Sequence, residues 1–549
     1  MIMVSRIKGS RILGSALALF LFFSSTASAV PANRRLPFDP SELREKISKD
    51  VIGMLETYYE ESDTEILKNA VFLKPGSAQY TAGVAFIAKK MARALVHGDT
   101  FTVSTMGSSV TSGHDNCNFD SYQNQLQRLL SPIFESAGSR FVVHNGGQGG
   151  GCGDNYENQK YCLRHIADEK SDVIQYSWTY FEAGDSSAVQ HRESLLRWAL
   201  RLKHSPAFQV LNVGEKLTTS QCGESLGSSL MYSRYAKYGA NAFCLQTGLH
   251  MSGRWGGKVW GEVGDGLHMT TRYGESESPA RKKSLGVVFR NWHPGPLGFQ
   301  MISDAMAHYF ATCALKAIDL LEAALKKKKY VRRVRLMYPK NPKLLKSRLP
   351  FPVKCASSVC NSYNAKAPFC FYAEKPAYGT SSIQKLSSAS RYNPKNTFGK
   401  WTRTGWTHWL DSPSTLIPKD ERSLAKCQHL NRCGSLEIDG SKITSKTTNS
   451  GWLSFRLPKG VMRGRIGICC SRGKKCYDET FANDVEFKIG GKTVPKSRIK
   501  KWDDAGKEKC ILLQDKWTSR AAFYRKRRVV VAVRFGKEND GGISHVIAM

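Results

Sequence analysis

Three short stretches of this chain carry residue types able to run acyl transfer. The first is Met106-Gly107-Ser108-Ser109-Val110-Thr111-Ser112-Gly113, directly after a short apolar run. A serine on a tight strand-to-helix turn presents its hydroxyl at the carboxyl edge of a sheet, with amides close enough to stabilise an oxyanion. The second is Asn145-Gly146-Gly147-Gln148-Gly149-Gly150, where a glycine amide offers a further oxyanion donor. The third is Asn291-Trp292-His293-Pro294-Gly295-Pro296-Leu297-Gly298-Phe299. A histidine framed by prolines there is placed to take a proton from the serine as general base. A Gly/Ser loop alone is more often structural; the three stations together point to chemistry.

Such stations need a scaffold, and the pattern from about 96 to 325 supplies one. Phe101 to Thr105, Phe141-Val142-Val143, Val173-Ile174-Gln175-Tyr176 and Phe208 to Val213 read as strands. Between them, Tyr122, Leu126, Leu129, Leu130 and Ile133 mark one helical face, and Leu195, Leu196, Trp198 and Leu200 sit on another helix. Pro296 to Leu325 reads as a long closing helix. Alternation of this kind predicts a parallel sheet covered by helices on both faces.

The three stations, in this order, resemble the SGNH/GDSL hydrolase superfamily over residues 98–325. Gly107-Ser108-Ser109 stands where that family has Gly-Asp-Ser, so the resemblance makes Ser109 the nucleophile. Gly150 matches the glycine of the second block, and His293-Pro294 looks like the terminal His-Pro block. The resemblance implies a serine esterase with an α/β fold, and an oxyanion hole made by the amides of Ser109 and Gly150. Gln148 offers a further side-chain donor.

Three departures accompany the likeness. Ser108 replaces the family's Asp before the nucleophile. Tyr176-Ser177-Trp178-Thr179-Tyr180-Phe181-Glu182 stands where a Gly-x-Asn-Asp block is expected, so the usual oxyanion asparagine is missing. The Asp three residues before the histidine falls on Arg290. Upstream, Asp265-Gly266-Leu267-His268 is a literal Asp-x-x-His. Asp265 is therefore the candidate acid for His293, with Asp265 and His268 as the rival pair and a Ser–His dyad without a carboxylate as a third arrangement. His114-Asp115 lies close to the nucleophile in sequence, and either touches substrate or solvates a loop.

Around this core the chain falls into further parts. Residues 1–29 read as a signal peptide: Arg6, Lys8 and Arg11 precede the apolar run Ile12 to Phe23, and Ala27-Ser28-Ala29 follows. Residues 30–95 form a helical lead-in, starting at a cap on Asp39 or Ser41, with Ile47, Val51, Ile52, Leu55 and Tyr58 on one face. The core, 96–325, runs into a polybasic linker, 326–350, opening with Lys326-Lys327-Lys328-Lys329 and free of acids. That linker is a solvated spacer or a processing site for basic-specific proteases. Beyond it, 351–549 alternates in short runs such as Gly451 to Leu457 and Arg465 to Ile468, and Val485 to Ile489 followed by Gly490-Gly491 signals a hairpin. A disulfide-rich β-sandwich is expected there.

Composition narrows the function. The chain of 549 residues has 15 cysteines, which in an exported protein imply disulfides with one left over. Cys355, Cys360 and Cys370, like Cys469, Cys470 and Cys476, lack a C-x-x-C ligand pair, so no metal is expected and no cofactor either. Lysine and arginine exceed acids by 81 to 46, a net charge of +35. In an exported chain that excess selects anionic polysaccharide or other anionic extracellular matrix as partner rather than nucleic acid. Trp401, Trp406 and Trp409, with Tyr392 and His408, offer stacking faces for sugars or simply pack the sandwich. Arg525-Lys526-Arg527-Arg528 grips sulfate or carboxylate, or guards an edge strand. There is no Asn-x-Ser/Thr sequon. The expected function is a secreted esterase deacylating a polysaccharide. A weak or inactive SGNH-scaffold protein binding anionic glycans, and a glycan acyltransferase, are the alternatives.

Overall fold

Period-two alternation decides how the first half of the chain folds. Val173 and Ala207 enter one apolar cluster, while their neighbours Ile174 and Phe208 enter another. Strands buried on both faces must divide their side chains in this way. The structure is a computed structural model. It describes residues 36–113, 121–147, 160–179, 186–213, 226–251, 289–290, 293–326, 349–353, 369–372, 406–410, 434–438, 452–457, 466–470, 485–501, 510–513, 529–535 and 542–548. The leader, Gly150, Asp265, His268, His114-Asp115, Gln148, Trp401, Tyr392 and the basic run at 525–528 lie outside the described residues.

Three helices come first: α1 (Pro40–Ile47), capped by the Asp39 carboxylate on the Ser41 amide, then α2 (Met54–Asn69) and α3 (Ala78–His97). The α/β part follows as β1 (Thr100–Gly107), α4 (Ser109–Ser112), α5 (Tyr122–Ser136), β2 (Arg140–Gly147), α6 (Leu163–Ile166) and β3 (Val173–Ser177). It continues through α7 (Ser186–Ala199), β4 (Ala207–Asn212), α8 (Leu226–Tyr235), β5 (Asn241–Cys244) and α9 (Leu245–Met251). A two-residue pair, β6 (Phe289–Arg290) and β7 (His293–Pro294), leads into α10 (Pro296–Leu325). The five strands β1 to β5 form a parallel sheet in the order β2-β1-β3-β4-β5. The strand order reverses between β1 and β3, and open parallel sheets bind ligands beyond their carboxyl ends at such a reversal.

Helices cover both faces. Phe101, Val103, Phe141, Val143 and Val173 pack with α1, α2, α3, α5 and α10 in one cluster. The lead-in helices therefore share the core of the α/β part. On the other face Met106, Ile174, Tyr176 and Phe208 pack with residues of α6, α7 and α8. β5 was not anticipated from sequence. It is short and opens on Asn241, whose side chain accepts from the Leu73 and Ala242 amides at 3.0 and 2.9 Å.

The second half is antiparallel. Its strands are β8 (Phe369–Tyr372), β9 (Trp406–Leu410), β10 (Gly434–Ile438), β11 (Leu453–Leu457), β12 (Ile466–Cys470) and β13 (Val485–Ile489). They are followed by β14 (Lys492–Thr493), β15 (Ile499–Lys501), β16 (Cys510–Leu513), β17 (Val529–Phe535) and β18 (Gly542–Ala548). One sheet runs β15-β16-β12-β18-β10-β9 with β8 on β18, the other β11-β17-β13-β14. Phe455, Phe487 and Val531 of the second sheet meet Ile468, Leu513 and Val546 of the first in one cluster, the core of a sandwich. β13 and β14 turn through Gly490-Gly491, both at positive φ (59° and 84°), as a two-residue hairpin loop of this hand demands.

Disulfides link Cys162 to Cys370 and, across the β12–β16 ladder, Cys469 to Cys510. Cys244 is also disulfide-bonded, whereas Cys313 is a buried thiol of α10. His545 sits against the Cys162–Cys370 pair, whose sulfurs are committed to each other. Among the described residues no helix is long and apolar enough to cross a membrane.

Candidate active site

Ser109 opens the short helix α4 immediately beyond β1, at the reversal of strand order. The turn is closed from within. The Ser112 amide donates to the Ser108 carbonyl at 3.0 Å, and the Ser112 hydroxyl to the Ser109 carbonyl at 2.8 Å. Gly113 ends the helix in the left-handed region at φ 83°, where glycine carries no Cβ penalty.

The glycines around this turn act by close approach. A Cβ on Gly107 would stand 2.7 Å from the Ser177 carbonyl oxygen and 2.8 Å from Thr111 Cβ. One on Gly147 would stand 2.5 Å from the Thr111 carbonyl carbon and 2.6 Å from Ser112 Cα. The end of β2 therefore lies directly against the serine turn, and only glycine fits there. Gly147 also donates its amide to Asn145 Oδ1 at 2.9 Å, so Asn145 orders the strand end.

His293 reaches the same place from the far end of the sequence. It lies on β7, two residues before the N-cap of α10, and its Nε2 is 2.8 Å from Ser109 Oγ. The two residues are 184 apart in the chain. Both are enclosed: Ser109 is 4% exposed and His293 1%. A serine hydroxyl bonded to an imidazole in a buried setting is the arrangement that activates a weak nucleophile. The structure thus brings Ser109 and His293 together.

At the end of β3, where the resemblance would place an amide-bearing block, Trp178 is fully buried and packs 5.5 Å from the Tyr176 ring. That position carries a buried indole and no amide side chain. Thr179 beside it donates to the Leu211 carbonyl at 3.2 Å.

Two residues that the sequence does not assign to the site join it. Gln123, buried in the first turn of α5, donates from Nε2 to the Thr111 carbonyl at 2.9 Å and to Thr105 Oγ1 at 3.1 Å. Its neighbour Tyr122 packs its ring 6.2 Å from that of Phe299, in the first turn of α10. No spacing rule ties them to the serine turn, because their partners lie on other elements.

A separate cavity of about 560 Å³ opens at the amino edge of the sheet, lined by Lys90, Arg93, Arg140, His144, Asp168 and Asp172 among others. Much of its charge is paired internally. Lys90 Nζ donates to the His204 carbonyl at 2.7 Å and stands 3.8 Å from Asp172, and Arg93 stands 3.6 Å from Asp99. Burial pulls Lys90 down to about 8 against the pull of Asp172. His204 falls to about 4 through burial and the cations of Lys90 and Arg93.

No protein-family model matches the chain, and no curated protein matches it in sequence. Solved structures similar at low level include two esterases. One is a two-domain esterase (CEX) active on acetylated mannans, co-crystallised with mannopentaose: 12% identity, TM-score 0.37, covering 85% of this chain and 97% of that one. The other, a two-domain esterase (CEX) active on acetylated mannans, has 13% identity and TM-score 0.34, covering 85% and 98%.

Proposed function

We propose that this protein is a secreted serine esterase of SGNH type that removes acyl groups, such as acetyl, from an extracellular polysaccharide. The observation that carries the reading is the 2.8 Å contact between Ser109 Oγ and His293 Nε2 beyond the carboxyl end of β1. Ser109 Oγ attacks the ester carbonyl carbon while His293 takes its proton. The tetrahedral intermediate holds its negative oxygen against the amides of Ser109 and Gly150. His293 then returns the proton to the departing sugar hydroxyl, leaving an acyl-serine that water hydrolyses by the same steps in reverse order. Asp265 is the proposed acid behind His293.

Polysaccharide as the substrate class rests on the net charge of +35, the disulfides and the appended β-sandwich. In this reading residues 1–29 are the signal, 96–325 the hydrolase domain with 30–95 as its helical approach, 326–350 the linker and 351–549 the domain that keeps the enzyme on an anionic matrix. The missing oxyanion asparagine, with Trp178 in that stretch, favours a slow enzyme, since one lost donor costs about 100–1,000-fold in turnover. It is also the observation behind a second reading, a glycan-binding protein with a silent site.

Hydrolysis of p-nitrophenyl acetate and release of acetate from acetylated glycans test the proposal, with Ser109→Ala and His293→Ala beside the parent protein. Loss of activity to background in both variants is expected. Equal rates in all three would sink the esterase reading, and binding to glycans without turnover would establish the second. Acyl transfer to a sugar acceptor in place of water would make the protein a transferase with the same residues.

A further inference from the structure

We infer that Gln123 is the positioning residue of this site, the side chain that fixes the serine turn on the sheet at the distance His293 requires. The inference rests on the esterase reading for its catalytic meaning and on geometry for its substance.

Gln123 Nε2 has two hydrogens, and the structure uses both. One goes to the Thr111 carbonyl, two residues past Ser109 within the same turn, and the other to Thr105 Oγ1 on β1. Thr105 in turn donates to the His144 carbonyl of β2 at 3.1 Å. A single amide group thus ties α4 to β1 and, through one hydroxyl, to β2. The Thr111 carbonyl can only accept, so the nitrogen of Gln123 must face it, and no carboxylate or thioether could serve there. Gln123 has no exposed surface. Removing it strands an acceptor in a dry environment, which favours movement of the turn toward another donor.

The neighbouring residue works on the other half of the site. Tyr122 packs against Phe299, whose amide donates to the Gly295 carbonyl at 2.9 Å in the turn that follows His293. Consecutive residues at the start of α5 therefore hold the serine turn on one side and the histidine-bearing turn on the other. A displacement of about 1 Å in such a pair costs on the order of 100-fold in rate.

The test compares parent protein, Gln123→Met, Thr105→Val and Thr105→Ser in ester hydrolysis, with a thermal melt for each and a crystal structure of Gln123→Met. Methionine keeps the length of the side chain and removes both donors. A kcat about 10–100-fold lower, with KM within about twofold, is expected for Gln123→Met, because positioning is felt in the transition state rather than in substrate binding. Thr105→Val should show a smaller loss of the same kind and Thr105→Ser should restore the parent rate. In the Gln123→Met crystal the Ser109–His293 separation should exceed hydrogen-bond distance.

Parent kcat in a folded Gln123→Met, or an unchanged 2.8 Å separation, would overturn the inference. If Gln123→Met does not fold, the contrast between Val and Ser at 105 decides it, equal rates in those two counting against it. If the parent protein hydrolyses no ester, the esterase reading fails on its own, and the crystallographic distance still decides the role of Gln123.

Discussion

At the scale of single residues, the site is built by what is absent as much as by what is present. Gly147 is placed where any Cβ would enter the backbone of Thr111 and Ser112. Backbone atoms cannot swing aside as a flexible side chain does, so the strand end or the serine turn has to move. Gly147→Ala is expected to cost about 1–3 kcal/mol of stability, the usual range for overpacking. It should also lower ester hydrolysis more than tenfold, because the displaced turn carries Ser109. Denaturant unfolding and kinetics on the same preparation check both. Parent stability and rate together would refute this close approach of β2 to the serine turn. In the sequence this glycine block offers oxyanion amides, Gly150 among them. Within the described part of the block, Gly146 and Gly147 serve close packing, a demand no single residue type announces.

At the scale of elements, α10 shows what burial does to a titratable group. His308 lies on it, half-buried, and its ring is pulled down to about 4, first by desolvation, then by Lys68 and against the opposing pull of Glu65. Unfolded, the same imidazole titrates near its ordinary 6.5. Between those values the unfolded chain binds a proton that the folded chain does not, so stability falls as pH drops from about 6.5 toward 4 and is unaffected by this group above that window. His308→Gln should flatten the dependence of unfolding free energy over that interval, measured at pH 7, 5.5 and 4.5. A slope parallel to that of the parent protein would show that His308 is solvated. The element itself was legible: a proline start, an apolar run and a basic stop mark Pro296–Leu325 with the bounds observed. Four strands of the parallel sheet were legible for the same reason, since their apolar runs are local. β5 was not, because four residues beginning with asparagine carry little pattern, and α4 is a single turn too short for any periodicity. Ser109 and His293 were legible as motifs, whereas Gln123 was not. Its hydrogen bonds cross 12 and 18 residues, and only the folded arrangement makes them neighbours.

At the scale of the whole chain, the two halves are joined by contacts that do not use the lysines and arginines between Lys326 and Arg348. Cys162, beside α6, is bonded to Cys370 in β8 across 208 residues of sequence. Leu349, Cys469, Cys510, Leu512 and Ile547 share an apolar cluster with α6, α7 and α8. Residues 350–353 are clasped onto α7 and α8. The Val353 amide donates to both Glu193 carboxylate oxygens at 2.8 and 2.9 Å, Arg197 donates to the Pro350 carbonyl at 2.7 Å, and Arg234 to the Phe351 carbonyl at 2.8 Å. A closed loop of this length contributes roughly 2–5 kcal/mol through the unfolded state, and the clasp acts in addition to it. The basic segment therefore need not be intact for the halves to stay together. With a site-specific protease sequence placed between residues 327 and 348 and then cut, the protein is expected to run as one species on a non-reducing gel. Reductant in denaturant should release two fragments. The cut, unreduced protein should also melt as the uncut one does, because the cluster and the clasp bear the contact. Two fragments without reductant would show that Cys162 and Cys370 are not partners. A single species that melts much earlier would show that the covalent bond holds the halves while the interface does not.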